Sequence, residues 1–196
     1  MIVMVTGGAR SGKSSFAERW CMKHASRSYY IATAQAFDEE MEQRIALHRE
    51  DRAAAGYTWR TIEEPLQLSN LLFELGNGQL EEANAETEVE TSPAVLIDCL
   101  TLWLSNMLLA VGEQVDAESR MMKEIDHLLE AIAGYRGTLV IVTNEVGSGI
   151  VPAYPLGRQY RDLAGILNRR VAAIADQVFL VTAGIPIELK SREYKL

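Results

Sequence analysis

Cysteine is nearly absent: Cys21 and Cys99 are the only two among 196 residues. That count excludes a disulfide framework and a multi-cysteine zinc site. Basic residues are in deficit, with 19 Lys and Arg against 27 Asp and Glu and a net charge of −8. A general nucleic-acid binder presents a net basic surface, so no nucleic acid is expected as a partner. Long uninterrupted apolar runs are missing too. The most hydrophobic later window, Val95 to Val111, contains Asp98, Ser105 and Asn106, and no membrane span is expected. The first residues lack the basic region and cleavage pattern of a secretory signal, and their apolar run is broken at once by Thr6 and Gly7. The expectation is a soluble cytoplasmic protein. What remains is ordinary for a globular chain, 48% hydrophobic and 23% charged, in a length that suits a single domain over residues 1–196.

The chain is organised around its N-terminal stretch. Ile2 to Val5 is a short apolar run that enters Gly7, Gly8, Ala9, Arg10, Ser11, Gly12, Lys13 and Ser14, the complete pattern G-x-x-x-x-G-K-S. A buried strand there delivers the chain to a loop whose backbone N–H groups converge on phosphate oxygens beside the positive end of a helix. Gly7 and Gly12 let the backbone turn close to an anion. Lys13 is placed to neutralise the β- and γ-phosphates, and the Ser14 hydroxyl to join a Mg²⁺ shell. The pattern predicts binding of a nucleoside triphosphate.

Helix is predicted to about His24, with Phe16, Ala17 and Trp20 as its buried face. Tyr29 to Thr33 reads as a second strand ending in Thr33, Ala34 and Gln35, at the strand end where open α/β sheets hold ligands. Asp38 to Ala55 reads as a helix with acids in its first turn, where the dipole favours them. Tyr57 to Ile62 is a strand leading to Glu63, Glu64 and Pro65, and Pro65 is expected to begin the next helix. The pattern fails over 76–93. Within it, Gln79 to Ser92 holds five glutamates and no Lys or Arg, which reads as an acidic surface excursion. Ala94 to Asp98 is an unbroken apolar run ending in a carboxylate, the arrangement that holds Mg²⁺ opposite a phosphate loop.

Helices over 101–110 and 117–135 read as structural, with Leu102, Trp103, Met107 and Leu108 as core and His127 as an ordinary helix residue. Leu139 to Thr143 is another buried strand. Asn144 and Glu145 after it either contact substrate or satisfy backbone groups at a turn, and both readings stand. Gly147, Gly149, Pro152 and Pro155 shape a loop suited to a lid. A helix over 156–175 bears Arg158, Arg161 and Asp162. Strands over 178–181 and 185–189 form a hairpin through Ala183 and Gly184, with Pro186 marking an edge strand.

One group on the second helix is unusual. Arg44, His48 and Arg52 are spaced by four and share one side, with Arg49 adjacent and Met41 and Ile45 as anchors. On spacing alone this is either a solvated face paired with Glu42 and Glu50, or a histidine nucleophile between phosphate-binding arginines.

Several separated segments together resemble one family. TGGARSGKS at 6–14, YIATAQ at 30–35, RIALHREDR at 44–52, WRTIEE at 59–64, VTNEVGSGIVP at 142–152 and RQYRDLAGILNRRVA at 158–172 resemble the bifunctional adenosylcobinamide kinases and adenosylcobinamide-phosphate guanylyltransferases of cobalamin biosynthesis. The resemblance covers most of the chain outside 76–93. It implies an α/β P-loop NTPase of RecA-like type, a mainly parallel sheet flanked by helices with a C-terminal hairpin, assembled as a homotrimer. It implies GTP and ATP as substrates with Mg²⁺, and adenosylcobinamide and its phosphate as acceptors. His48 matches the family's guanylylated histidine, which favours the nucleophile reading. Guanine nucleotide contacts carry over to Gly7 through Ser14, to Thr33, Ala34 and Gln35, to Arg49, Glu50, Asp51 and Arg52, and to Glu63 and Asp98. Lys13 joins His48 as catalytic, and Ser14 with Asp98 as metal-holding. The Asp98 position is a glutamate in some relatives. Against this stand a small-molecule kinase in which His48 is structural, which would form no covalent GMP adduct, and a non-catalytic nucleotide switch, which would bind without turnover.

Overall fold

The computed structural model describes residues 1–36, 39–78, 93–112 and 116–195, without the side chains of Glu40, Arg44 and Asp51. Asp38 and the stretch 79–92 of the acidic segment lie outside the described residues. The elements are β1 (Ile2–Gly7), α1 (Lys13–His24), β2 (Arg27–Ala32), α2 (Glu39–Ala54), β3 (Thr58–Glu63), α3 (Leu68–Gly76) and β4 (Ala94–Asp98). They continue as α4 (Leu100–Val111), α5 (Ala117–Gly134), β5 (Leu139–Asn144), α6 (Pro155–Ile174), β6 (Gln177–Thr182) and β7 (Ile185–Glu188), followed by a single 3₁₀ turn, Lys190–Arg192.

The seven described strands form one sheet in the order β3-β2-β4-β5-β1-β6-β7. Every pairing is parallel except β6 with β7. This is the α/β class and C-terminal hairpin expected from the alternation of strands and helices. Pro186 sits on the edge strand, paired only with Val181 of β6, where its missing N–H breaks no ladder. Ala183 (φ +52°) and Gly184 (φ +78°) turn the hairpin; two successive positive φ angles suit the right-handed strand twist.

The middles of the central strands are apolar because both faces of the sheet are covered. Ile2, Met4, Ile31, Val95, Ile97, Leu139 and Ile141 point to one side, where α3, α4, α5 and α6 pack around the fully buried Trp103. Val3, Val5, Tyr30, Leu96, Val140 and Val142 point to the other, under Ala17, Trp20 and Cys21 of α1. Leu68 rather than Pro65 opens α3. The Glu64 carboxylate accepts from the N–H groups of Leu66 and Gln67 at 2.9 and 2.6 Å, and this side-chain capping holds the chain in a turn before the helix starts. His127 touches only the Phe73 ring among the ring contacts described, at 5.6 Å. Among the described residues no helix is long and apolar enough to cross a membrane.

Both cysteines are free and buried. Burial pushes the Cys21 thiol up to about 12 from 9.0, and it pushes the Tyr30 hydroxyl up as well, with the Asp98 charge adding to the Tyr30 shift. Both groups therefore keep their protons in the fold at pH values where the unfolded chain has lost them. Their contribution to stability is complete below pH 9, and it is lost as pH rises from about 9 toward 12. Urea midpoints are expected to fall steadily over that window, and Cys21→Ala is expected to flatten the lower part of the fall.

Candidate active site

The register of the parallel strands brings their C-terminal ends into one row. Glu63 pairs with Ala32, Ala32 with Asp98, Asp98 with Val142, and Asn144 with Gly7. The phosphate loop follows β1, the carboxylate of Asp98 ends β4, and Asn144 ends the strand between them. Loops leaving such an edge surround a ligand crevice.

The loop from Gly7 to Gly12 is tightly held. A Cβ at Gly7 would meet the Val181 carbonyl oxygen at 2.4 Å and Ser11 Oγ at 2.6 Å, so only glycine fits. Gly12 has φ +89° and caps α1 without a side-chain hydrogen bond. The first N–H groups of α1 thus have no side-chain cap, and that helix start, with no acid in its first turn, suits a phosphate group. The hairpin turn supports the loop from beneath, with the Gly184 N–H donating to the Ser11 carbonyl at 2.9 Å. Lys13 is buried, and its Nζ donates to the Gly8 carbonyl at 3.2 Å.

In front of this loop lies a cavity of about 490 Å³. Ala9, Arg10, Lys13 and Ser14 line it from the loop, and Ala32, Ala34, Asp98 and Cys99 from the strand ends. Met41, Ile45, His48, Arg49 and Arg52 line it from α2, so the histidine faces the same space as the phosphate loop. Asn144, Glu145 and Val146 close the far side. Ser14 Oγ stands 3.5 Å from Asp98 Oδ1. Two hard oxygen donors side by side at a phosphate-loop helix fit Mg²⁺, which takes one or two protein oxygens and completes its shell with phosphates and water. Among the described residues no cluster of three or more His, Cys, Asp or Glu competes for a metal.

Other expected positions stand apart from the cavity wall. Thr33 is fully buried: its hydroxyl donates to the Cys99 carbonyl and accepts from the Cys99 N–H, both at 2.8 Å. It ties β2 to the chain leaving β4. Gln35 and Glu50 do not line the cavity, nor does Glu63, which pairs with Arg49 through an exposed ion pair. The backbone of Asp51 lies on the last turns of α2. Thr33→Val leaves the buried Cys99 N–H without its acceptor, while the Cys99 carbonyl keeps the Leu102 and Trp103 N–H groups as donors; a loss of about 1–3 kcal/mol in urea unfolding is expected, with Thr33→Ser close to wild type.

Asn144 and Glu145 combine the two readings left open by the sequence. Both line the cavity, and both serve turns: the Asn144 amide donates to Thr101 Oγ1 at 2.8 Å, and Glu145 Oε1 accepts from the Gly147 N–H at 2.8 Å. The loop that follows is held by α6. Arg161 donates to the Gly147 carbonyl, and Arg158 to the carbonyls of Pro152 and Ala153.

Tyr30 is a site residue that no sequence pattern announces. It lies two residues before the end of β2, on the face turned to α1, and its hydroxyl donates to Asp98 Oδ2 at 2.7 Å. Leu102, read as core, also lines the cavity. The buried pair Thr143 and Asn168 was equally invisible. Their side chains bond each other at 2.7 Å, and the Asn168 amide donates to the Asn144 carbonyl.

The model of the cobinamide kinase / cobinamide phosphate guanyltransferase family matches residues 3–189. The chain belongs to that family. Relatives agree along nearly its whole length. A bifunctional adenosylcobalamin biosynthesis protein, CobP, of Pseudomonas aeruginosa is 42% identical over 95% of this chain and 96% of its own. CobU of Salmonella typhimurium, also described as a bifunctional adenosylcobalamin biosynthesis protein, is 39% identical over 97% of this chain and all of its own. CobU of Escherichia coli is 37% identical over the same shares. A solved structure from Pyrococcus horikoshii shares the fold, with a TM-score of 0.50 at 7% identity over 95% of this chain and 84% of that one. In this chain the cavity lies where the phosphate loop and α2 meet.

Proposed function

We propose that the chain phosphorylates adenosylcobinamide with a nucleoside triphosphate and then transfers GMP from GTP to the phosphorylated product through His48. The observation that carries this reading is the single cavity shared by Lys13, the Ser14 and Asp98 oxygens and the His48 imidazole. Family membership supplies the two reactions.

In the first reaction the acceptor hydroxyl attacks the γ-phosphorus, the bond to the bridging oxygen breaks, and nucleoside diphosphate leaves. Lys13 turns from the Gly8 carbonyl to the phosphate oxygens, whose charge it offsets, and the uncapped N–H groups of α1 hold the remaining oxygens. Glu145, on the cavity wall, takes the hydroxyl proton. Ser14 and Asp98 would hold Mg²⁺, which supplies charge neutralisation for the transferring group.

In the second reaction an unprotonated nitrogen of His48 attacks the α-phosphorus of GTP. The N–P bond forms as the bond between the α- and β-phosphates breaks, and pyrophosphate departs. An oxygen of adenosylcobinamide phosphate then attacks the same phosphorus, the N–P bond breaks, and the free imidazole returns with adenosylcobinamide-GDP as product. Covalent catalysis divides a difficult transfer into two easier ones, and Arg49 steadies the phosphates from α2. The same reading takes the protein to be a cytoplasmic homotrimer that uses Mg²⁺ with GTP and ATP.

Incubation with GTP labelled at the α-phosphate, followed by denaturing electrophoresis, tests the proposal. Acid-labile, base-stable label on a peptide from α2 is expected. Cobinamide phosphorylation with no label on the chain would leave a kinase alone.

A further inference from the structure

Helix α2 carries His48, yet Arg52 is the only buried side chain among those described on it. The Arg52 guanidinium carbon stands 3.6 Å from the centroid of the Tyr30 ring. Its Nη1 is 3.7 Å from Glu18 Oε1 on α1. The Tyr30 hydroxyl reaches on to Asp98, so the stack joins α2 to β2, α1 and β4 at one point. A planar guanidinium on an aromatic face is held both in position and in orientation. Once buried, its charge is costly to separate from its carboxylate partner.

Two further features of α2 are seen among the described residues. Met41 and Ile45 are half-buried at the cavity edge, and the pair between Arg49 and Glu63 is exposed on both sides and therefore weak. His48 lies four residues before Arg52, one turn away on the same side of the helix. Whatever fixes the Arg52 guanidinium also fixes where the imidazole stands. The Tyr30 ring covers a face of this guanidinium, and Glu18 attracts Nη1 by charge at 3.7 Å without a hydrogen bond, so stacking and charge together tie α2 to the sheet.

We infer that Arg52 is a positioning residue for the guanylyl step: stacked on Tyr30 and paired with Glu18, it holds α2 so that His48 meets the α-phosphate, and it does not itself bind the nucleotide. The inference rests on His48 being the group that receives GMP. It changes the role that the family resemblance implies for Arg52, from nucleotide contact to anchor.

Single-turnover labelling with α-phosphate-labelled GTP, beside a separate measurement of GTP affinity, tests it in the full chain. Arg52→Met and Tyr30→Leu are expected to slow labelling about tenfold or more, since small misplacements of a reacting group carry large kinetic penalties. Glu18→Gln is expected to slow labelling by a smaller factor. Tyr30→Phe keeps the ring and is expected to recover most of the rate lost in Tyr30→Leu. GTP affinity is expected to stay within about twofold in Arg52→Met, because positioning acts on the reaction rate and not on ground-state binding. Weaker GTP binding with an unchanged rate at saturation would mark Arg52 as a phosphate ligand and overturn the inference. Wild-type labelling rates in Arg52→Met, Tyr30→Leu and Glu18→Gln would overturn it too. So would equal falls in labelling and cobinamide phosphorylation, since those mark general damage to the fold. An unlabelled wild type is a separate outcome: it removes the histidine intermediate itself, and this inference falls with it.

Discussion

Guanylyl transfer by His48→Ala is expected to fall about a thousandfold or more, with no covalent label on the chain, while cobinamide phosphorylation falls far less. As proposed, the two reactions use the same phosphate loop but different phosphorus atoms. In the proposed mechanism, direct transfer of the γ-phosphoryl group needs Lys13, the Ser14 and Asp98 oxygens and a bound acceptor. Transfer of GMP in that mechanism needs in addition a nitrogen that attacks the α-phosphorus. Removing the imidazole eliminates that second route and leaves the loop intact, because His48 is half-buried on the surface of α2 and carries none of the core. Parallel assays of phosphorylation and of GMP transfer on one preparation provide the check. Equal losses in both would place His48 in the structure of the site rather than in its covalent chemistry.

Lys13→Ala is expected to lower both reactions, each by about 10²–10³-fold, the range found when one preorganised donor to a developing charge is removed. Lys13 opens α1, is buried, and already points along the loop toward the Gly8 carbonyl. Its charge is thus poised beside the uncapped helix start, where the phosphates of either nucleotide would lie. The shared loss separates it from His48→Ala, whose effect falls on one reaction. Initial rates with saturating GTP and ATP, and the same rates at low nucleotide, divide lost binding from lost transition-state stabilisation. Retention of both activities would remove the loop from the mechanism.

The framework of this site was legible because its signals are local. The glycine pattern at 7–14 needs only its own neighbours to declare a phosphate loop, and the unbroken apolar runs of β1, β4 and β5 announce strands covered on both faces. The strand ends, the edge position of Pro186 and the turn at Ala183 and Gly184 follow from the same kind of short-range chemistry. Other positions depend on sheet register, which spacing along the chain does not encode. Thr33 reads as a polar strand end available to a ligand, but register sets it beside Cys99, 66 residues further on, and consumes its hydroxyl. Tyr30 reads as a core strand residue, yet the pairing of β2 with β4 brings its hydroxyl to Asp98. Arg52 reads as one of a set of similar arginines on a helix. Only the packing of α2 over β2 separates it, buried on Tyr30, from Arg49, exposed beside Glu63.

The turn between β6 and β7 has a bearing on how the chain tolerates changes of length. Hairpin tips are ordinarily where insertions are accommodated. Here the Gly184 N–H is spent on the Ser11 carbonyl, and the Gly184 Cα lies only 3.3 Å from where a side chain on Gly12 would begin. One added residue would lift the tip away and leave the phosphate loop without its floor. The two-residue length of this turn is therefore set by a loop about 170 residues earlier in the chain, and the hairpin's own strands have little say in it.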